Sequence, residues 1–133
     1  MADTIPEDYL DLLTTEKRAF ADLAIVLKDG TPQVSPVWFD YADGLIIINT
    51  ARGRVKDKVL HRHPVVAMSI RDPDDPYRYL LIRGPVVEET EVGGDDGIRD
   101  LNLKYHGNRN YKIAPGMVRV IYKVKPERVF AGN

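Results

Sequence analysis

The chain has 133 residues, no cysteine, and 19 Lys plus Arg against 20 Asp plus Glu, a formal net charge of -1. That balance excludes a global basic field for nucleic acid or anionic membrane, and the missing thiols exclude disulfides, thiolate metal sites and a cysteine nucleophile. The length is that of one domain, 1–133; the acidic start MADTIPEDYLDLL lacks a signal-peptide layout and no apolar run nears the ~20 residues of a membrane span, so the expectation is a soluble, cytoplasmic protein.

IPEDYLDLLT has proline and acids at its start and Tyr9, Leu10 and Leu13 at near-helical spacing, which predicts a short amphipathic helix acting as a lid or brace. AFADLAIVL and TPQVSPVWFDY read as two strands joined at Asp29-Gly30, the strongest hairpin signal in the chain. A second turn, ADG at 42–44, leads into LIIINT, a strand apolar on both faces and so expected to be central.

After a basic segment, PVVAMSIRD is a fourth strand, and DPDDP is expected to be a loop that stops regular pairing. YRYLLIRGPVVEETEV is a long fifth strand with Gly84-Pro85 marking a bend. DDGIRDLNLKYHG places Ile98, Leu101 and Tyr105 on one helical face, with Gly107 at the C-cap. MVRVIYKVKPERVF alternates, with Val118, Val120, Tyr122 and Val124 on one side, and gives a sixth strand. Six mostly antiparallel strands with two or three short helices make a mainly β (α+β) fold, and closure into a small barrel removes the exposed edges.

The basic segment TARGRVKDKVLHRHP, 50–64, carries the main functional signal. Arg52, Arg54, Lys56 and Lys58 crowd a helix start offset only by Asp57, where the dipole favours acids instead. A helix over 54–63, capped by Thr50 or a neighbour, would bury Val55, Val59 and Leu60 and leave Arg54 and Lys58 on one exposed face. Free N–H groups together with cationic side chains make a phosphate site; a solvated basic face answers to the same pattern.

Beside it stands VSPVWF. Pro36 cannot donate to a ladder, which leaves neighbouring backbone free to meet a ligand, and Trp38 offers a flat wall for a ring system or an ordinary core contact. His61, His63 and His106 are given surface roles, because two residues of separation on a helix does not form a chelating pair. No metal site is assigned, the acids of DPDDP lack the spacing of a calcium loop, and no catalytic triad can be drawn from spacing.

The stretch DGTPQVSPVWFDYADGLIIINTARGRVKDKVLHRHPVVAMSI, with the later DPYRYLLIRGPVVE and PERVF, resembles the pyridoxamine 5'-phosphate oxidase-like split β-barrels, and among them the F420-dependent (deazaflavin-dependent) branch. The match runs from Thr15 to Phe130. Many relatives have RNLRRDP where this chain has DKVLHRHP, so the helix surface does not carry over.

The resemblance implies a six-stranded antiparallel split β-barrel and a homodimer with a cofactor site at the subunit interface. The cofactor is F420, with FMN as the alternative. Its phosphate meets Arg54 and Lys56, with Lys58 as a third cation and Asn49 and Thr50 nearby. Ser35, Pro36, Val37 and Trp38 lie along the ring, and Tyr77, Arg78 and Tyr79 of the other subunit close the cleft. Tyr105, Asn110 and Tyr111 are assigned to a coenzyme tail or substrate wall, and Arg52 has no assigned role.

The implied reaction is hydride transfer from reduced deazaflavin C5 to an electron-poor small molecule such as an enone or polyene, with no catalytic side chain identified. Rival readings are an FMN-binding oxidase or flavin reductase of the same fold, and a non-catalytic F420- or flavin-binding protein. A non-enzymatic interaction domain is the remaining class.

Overall fold

The computed structural model describes residues 2–133. A 3-10 helix, Glu7–Leu13, precedes β1 (Ala21–Val26), β2 (Pro32–Val37), β3 (Asp40–Ala42) and β4 (Leu45–Ala51). Next come α1 (Val55–Arg62), β5 (Val65–Asp72), β6 (Asp75–Thr90), α2 (Gly94–His106), β7 (Arg119–Val124) and β8 (Arg128–Gly132). All strand pairs are antiparallel, in the order β2-β1-β5-β6-β7-β4-β3, with β8 added to β6.

The 16-residue β6 belongs to both halves of this sheet: it pairs with β5 as far as Pro85 and with β7 from Val86 onward. Gly84 is needed at that handover, because a Cβ there would lie 1.9 Å from the Lys125 carbonyl oxygen where the chain crosses between β7 and β8. The two halves curl around one core. Leu23, Ile70, Leu80 and Ile82 from one half meet Phe39, Ile46, Ile48, Val120, Tyr122 and Val124 from the other. Each such fully buried side chain contributes about 2 kcal/mol to the fold.

The edge strands β2 and β3 are consecutive in the chain and unpaired with each other, so the barrel is split between them. At this seam the Phe39 backbone has no ladder partner, and α2 supplies one. Lys104 Nζ donates to Phe39 O at 2.8 Å, Phe39 N–H donates to Tyr105 Oη at 3.3 Å, and the Tyr105 hydroxyl donates to Ala19 O at 2.6 Å.

Several local expectations change. Eight strands replace six among the described residues, because TPQVSPVWFDY breaks at the seam and MVRVIYKVKPERVF breaks around Pro126, which cannot donate to a ladder. DPDDP is a tight hairpin turn between β5 and β6, with Asp72 opposite Asp75 and Asp72 Oδ1 accepting from Asp74 N–H at 2.8 Å. The N-terminal helix is 3-10 and buries Leu12 and Leu13, leaving Leu10 exposed. It is a brace: Tyr9 Oη donates to Gly132 O, and Arg78 ties its Asp11 to Asp72.

Pro36 lies opposite Asp22 on an edge strand, where its missing donor faces outward and leaves the β1–β2 pairing unbroken. Val55 and Val118 are exposed, because α1 buries Asp57, Val59 and Leu60 and because β7 begins one residue after Val118.

Candidate functional site

The basic segment divides into two sets of cations. Arg52 turns back onto the fold: its Nη1 meets Asp57 Oδ1 at 2.9 Å and Glu89 Oε2 at 2.6 Å, while its Nε meets Glu91 at 2.8 Å. Asp57, in the first turn of α1, also accepts from Gly53 N–H at 2.9 Å and from the Tyr122 hydroxyl at 2.6 Å. Burial pushes its carboxyl up, and these hydrogen bonds outweigh burial and hold it below the ordinary carboxylate value. Asp57 therefore supplies the acid that the helix dipole favours, and the N-cap residue is Arg54 rather than Thr50.

Arg54, Lys56 and Lys58 make no ion pair among the described residues. Arg54 and Lys56 line a cleft of about 250 Å³ between α1, the seam and α2, shared with Val37, Trp38, Asn49, Thr50, Ile98, Leu101, Tyr111 and Arg119. No Asp or Glu of the described residues lines it. Lys58 is exposed on the same helix, outside the cleft lining.

Strand β4 delivers Asn49 and Thr50, and its register with β7 sets Thr50 opposite Val120 and Ala51 opposite Arg119. Thr50 is buried and lines the cleft, and its hydroxyl makes no hydrogen bond among the described residues. Asn49 is engaged at both ends of its amide: Nδ2 donates to Gly94 O at 2.9 Å, and Oδ1 accepts from Arg119 Nε at 2.9 Å. Gly97 permits this approach of α2, since a Cβ there would stand 3.1 Å from Asn49 Nδ2.

Arg119 is a site residue that sequence reasoning missed. It is 3% exposed, and burial lowers its pKa, with the nearby Arg54 charge acting in the same direction. In the sequence Arg119 stands on the polar side of the alternation in MVRVIYKV, where an arginine reads as an ordinary exposed strand residue.

Trp38 is half-buried at the seam and stacks on Tyr105 with ring centroids 5.2 Å apart and an interplanar angle of 12°. His106 packs edge-on against it. Tyr105 thus backs the cleft wall rather than lining it, and burial pushes its hydroxyl up to about 12. Lys104, also 3% exposed, is pushed down to about 8 by burial. Tyr111 lines the cleft, whereas Asn110 is exposed and lies outside its lining.

Ser35 and Pro36 lie upstream on β2, outside the cleft lining. Tyr77, Arg78 and Tyr79 lie on β6 and do not line it either. Tyr77 is exposed, Tyr79 packs near Phe130, and Arg78 is bound to Asp11 and Asp72. The acids of the β5–β6 turn are engaged as well, with Lys17 Nζ at 3.2 Å from Asp72 and 3.1 Å from Asp74. His61 is exposed and meets Glu89 at 2.9 Å. Among the described residues no helix is long and apolar enough to cross a membrane.

A solved structure named F420 reductase matches this chain at a TM-score of 0.82 and 35% identity, over 95% of this chain and 98% of that one. A conserved hypothetical protein from Mycobacterium tuberculosis matches at a TM-score of 0.72 and 20% identity, over 98% of this chain and 86% of that one. A candidate pyridoxamine 5'-phosphate oxidase from Listeria innocua matches at a TM-score of 0.71 and 20% identity, over 94% and 95%. The last two speak for the fold alone. No protein-family model matches the sequence, and no curated protein does.

Proposed function

Because the chain belongs to the F420 reductase branch of the pyridoxamine 5'-phosphate oxidase-like split β-barrels, we propose that it is an F420-dependent oxidoreductase acting on small electron-poor molecules. The observation that carries this reading is the cleft itself, where Arg54 and Lys56 converge with no carboxylate to neutralise them. Like charges brought together without a counter-charge repel, and a phosphate supplies that counter-charge. The residues fit such a group: two cations without ion-pair partners and a Thr50 hydroxyl without a hydrogen bond among the described residues, and a wall of Val37 and Trp38 for a ring.

When bound, the reduced deazaflavin supplies a hydride to a conjugated acceptor. The chain's own residues supply position and exclusion of water. Arg54 and Lys56 anchor the phosphate end, Trp38 is held flat by Tyr105, and Lys104 and Tyr105 fix the seam that presents Trp38. Of the two nearby tyrosines, Tyr105 donates its proton to Ala19 O, which leaves Tyr111 as the cleft hydroxyl able to serve a proton transfer.

The working unit of this proposal is a homodimer. Val26, Val34, Val65, Leu81 and Phe130 are exposed on one face of the β2-β1-β5-β6-β8 half, beside a groove of about 560 Å³. A second copy on that face covers an apolar surface larger than scattered exposed residues explain. In that arrangement Tyr77 is free to serve the partner's cleft, and the engaged Arg78 holds the hairpin that carries it.

The test is a spectroscopic titration with F420 and FMN, followed by a screen of enones and tetrapyrroles with reduced F420. Preference for FMN favours the flavin reading, and tight F420 binding with no turnover favours a binding protein.

A further inference from the structure

We propose that Arg119 is a third anion-binding residue of the cleft and that Asn49 is its positioning residue, an inference that rests on the cofactor-phosphate reading above. Two other arginines of the chain show how this fold treats a guanidinium. Arg52 has Asp57, Glu89 and Glu91, and Arg78 has Asp11 and Asp72. Arg119 is buried more deeply than either, at 3% exposure, and forms no ion pair among the described residues; Asp95, on the side away from the cleft, acts on it only beyond ion-pair distance.

Its contacts orient the group without neutralising it. Nε donates to Asn49 Oδ1 at 2.9 Å, and the guanidinium lies 5.5 Å from the centre of the Tyr111 ring. Nη1 reaches only Tyr111 Oη at 3.5 Å and Met117 Sδ at 3.7 Å, both long contacts. The other N–H groups of the fork have no acceptor among the described residues, and Arg119 lines the same cleft as Arg54 and Lys56.

A buried cation without a counter-charge destabilises the fold unless an anion completes it. The planar fork suits phosphate or carboxylate oxygens and stays charged throughout the working pH range. Both ends of the Asn49 amide are engaged, one on Gly94 O and one on Arg119. Its part is therefore to aim Arg119, since its one carbonyl oxygen is turned to that guanidinium.

The test titrates the full chain with F420, and separately with inorganic phosphate as a bare-anion probe, using wild type, Arg119→Gln, Arg119→Lys, Asn49→Asp and Arg54→Ala. Arg119→Gln is expected to weaken F420 at least about tenfold and phosphate in proportion, as expected for loss of one charge-assisted contact. Arg119→Lys recovers part of the loss, because charge remains and the fork does not. Asn49→Asp places a carboxylate on Arg119 and weakens both anions although Arg119 is intact.

Thermal melts establish that each variant is folded; should Arg119→Gln fail to fold, Arg119→Lys and Asn49→Asp decide the matter. If the folded variants bind both anions like wild type while Arg54→Ala does not, this inference is overturned and the phosphate reading stands. If wild type binds neither F420 nor phosphate, both fall together.

Discussion

Arg52 Nη1 lies 2.9 Å from Asp57 Oδ1, and this pair separates a cation bound into the fold from those that face the cleft in TARGRVKDK. Asp57 is buried and takes further hydrogen bonds from Gly53 and Tyr122, so the pair pins the start of α1 to β7. Arg54 and Lys56, two and four residues beyond Arg52, are left to face the cleft.

Replacing Asp57 with Asn removes a buried charge from that network and leaves Arg52 with only its more exposed partners. The expected loss is about 2 to 3 kcal/mol in urea denaturation. A change below about 0.5 kcal/mol, the range of ordinary surface substitutions, would show that the pair does not anchor the helix.

Arg54→Ala with Lys56→Ala is expected to lower cofactor affinity by about two orders of magnitude or more, since each charge-assisted hydrogen bond contributes roughly 1.5 to 3 kcal/mol. Both side chains lack ion-pair partners among the described residues, so the unfolding free energy should hold within about 0.5 kcal/mol. Unchanged affinity in calorimetry would remove them from the phosphate site.

Lys104 makes stability depend on pH. Burial places its folded pKa at about 8, below the unfolded value of 10.5, so the unfolded chain binds more protons between those values. Stability therefore rises as pH increases through that window, by up to about 3 kcal/mol for the full shift. Tyr105, pushed up to about 12, acts in the opposite sense only above its ordinary value of 10.0. Denaturation of wild type against Lys104→Met should show this slope in wild type alone between about pH 8 and 10. Parallel curves would mean that the ammonium carries no burial penalty.

The apolar face bearing Leu81 and Phe130 predicts a dimer by light scattering. Leu81→Glu should give a folded monomer with weakened cofactor binding, because a charge at the centre of a buried interface lacks a partner. A wild-type monomer at working concentration would contradict the shared-site arrangement.

Local chemistry made much of the fold legible. Asp29-Gly30 announced the β1–β2 hairpin, and the spacing of Ile98 and Leu101 announced α2. Nothing in VSPVWFDY signals the break after Val37, because that break is held from outside by Lys104 and Tyr105, more than sixty residues away. Likewise the partners of Arg52 that hold it away from the cleft, Glu89 and Glu91, lie 37 and 39 residues on. The cation cluster and Trp38 could be read as a candidate site from sequence. Arg119 could not, since only the β4–β7 register brings it beside Asn49.

The most direct test of the central claim is calorimetric titration of the wild-type protein with F420 and with FMN under identical conditions. The cleft and the family predict saturable F420 binding that is tighter than FMN binding and is lost in the Arg54→Ala, Lys56→Ala variant. Tighter binding of FMN, or F420 binding indifferent to those two residues, would contradict it.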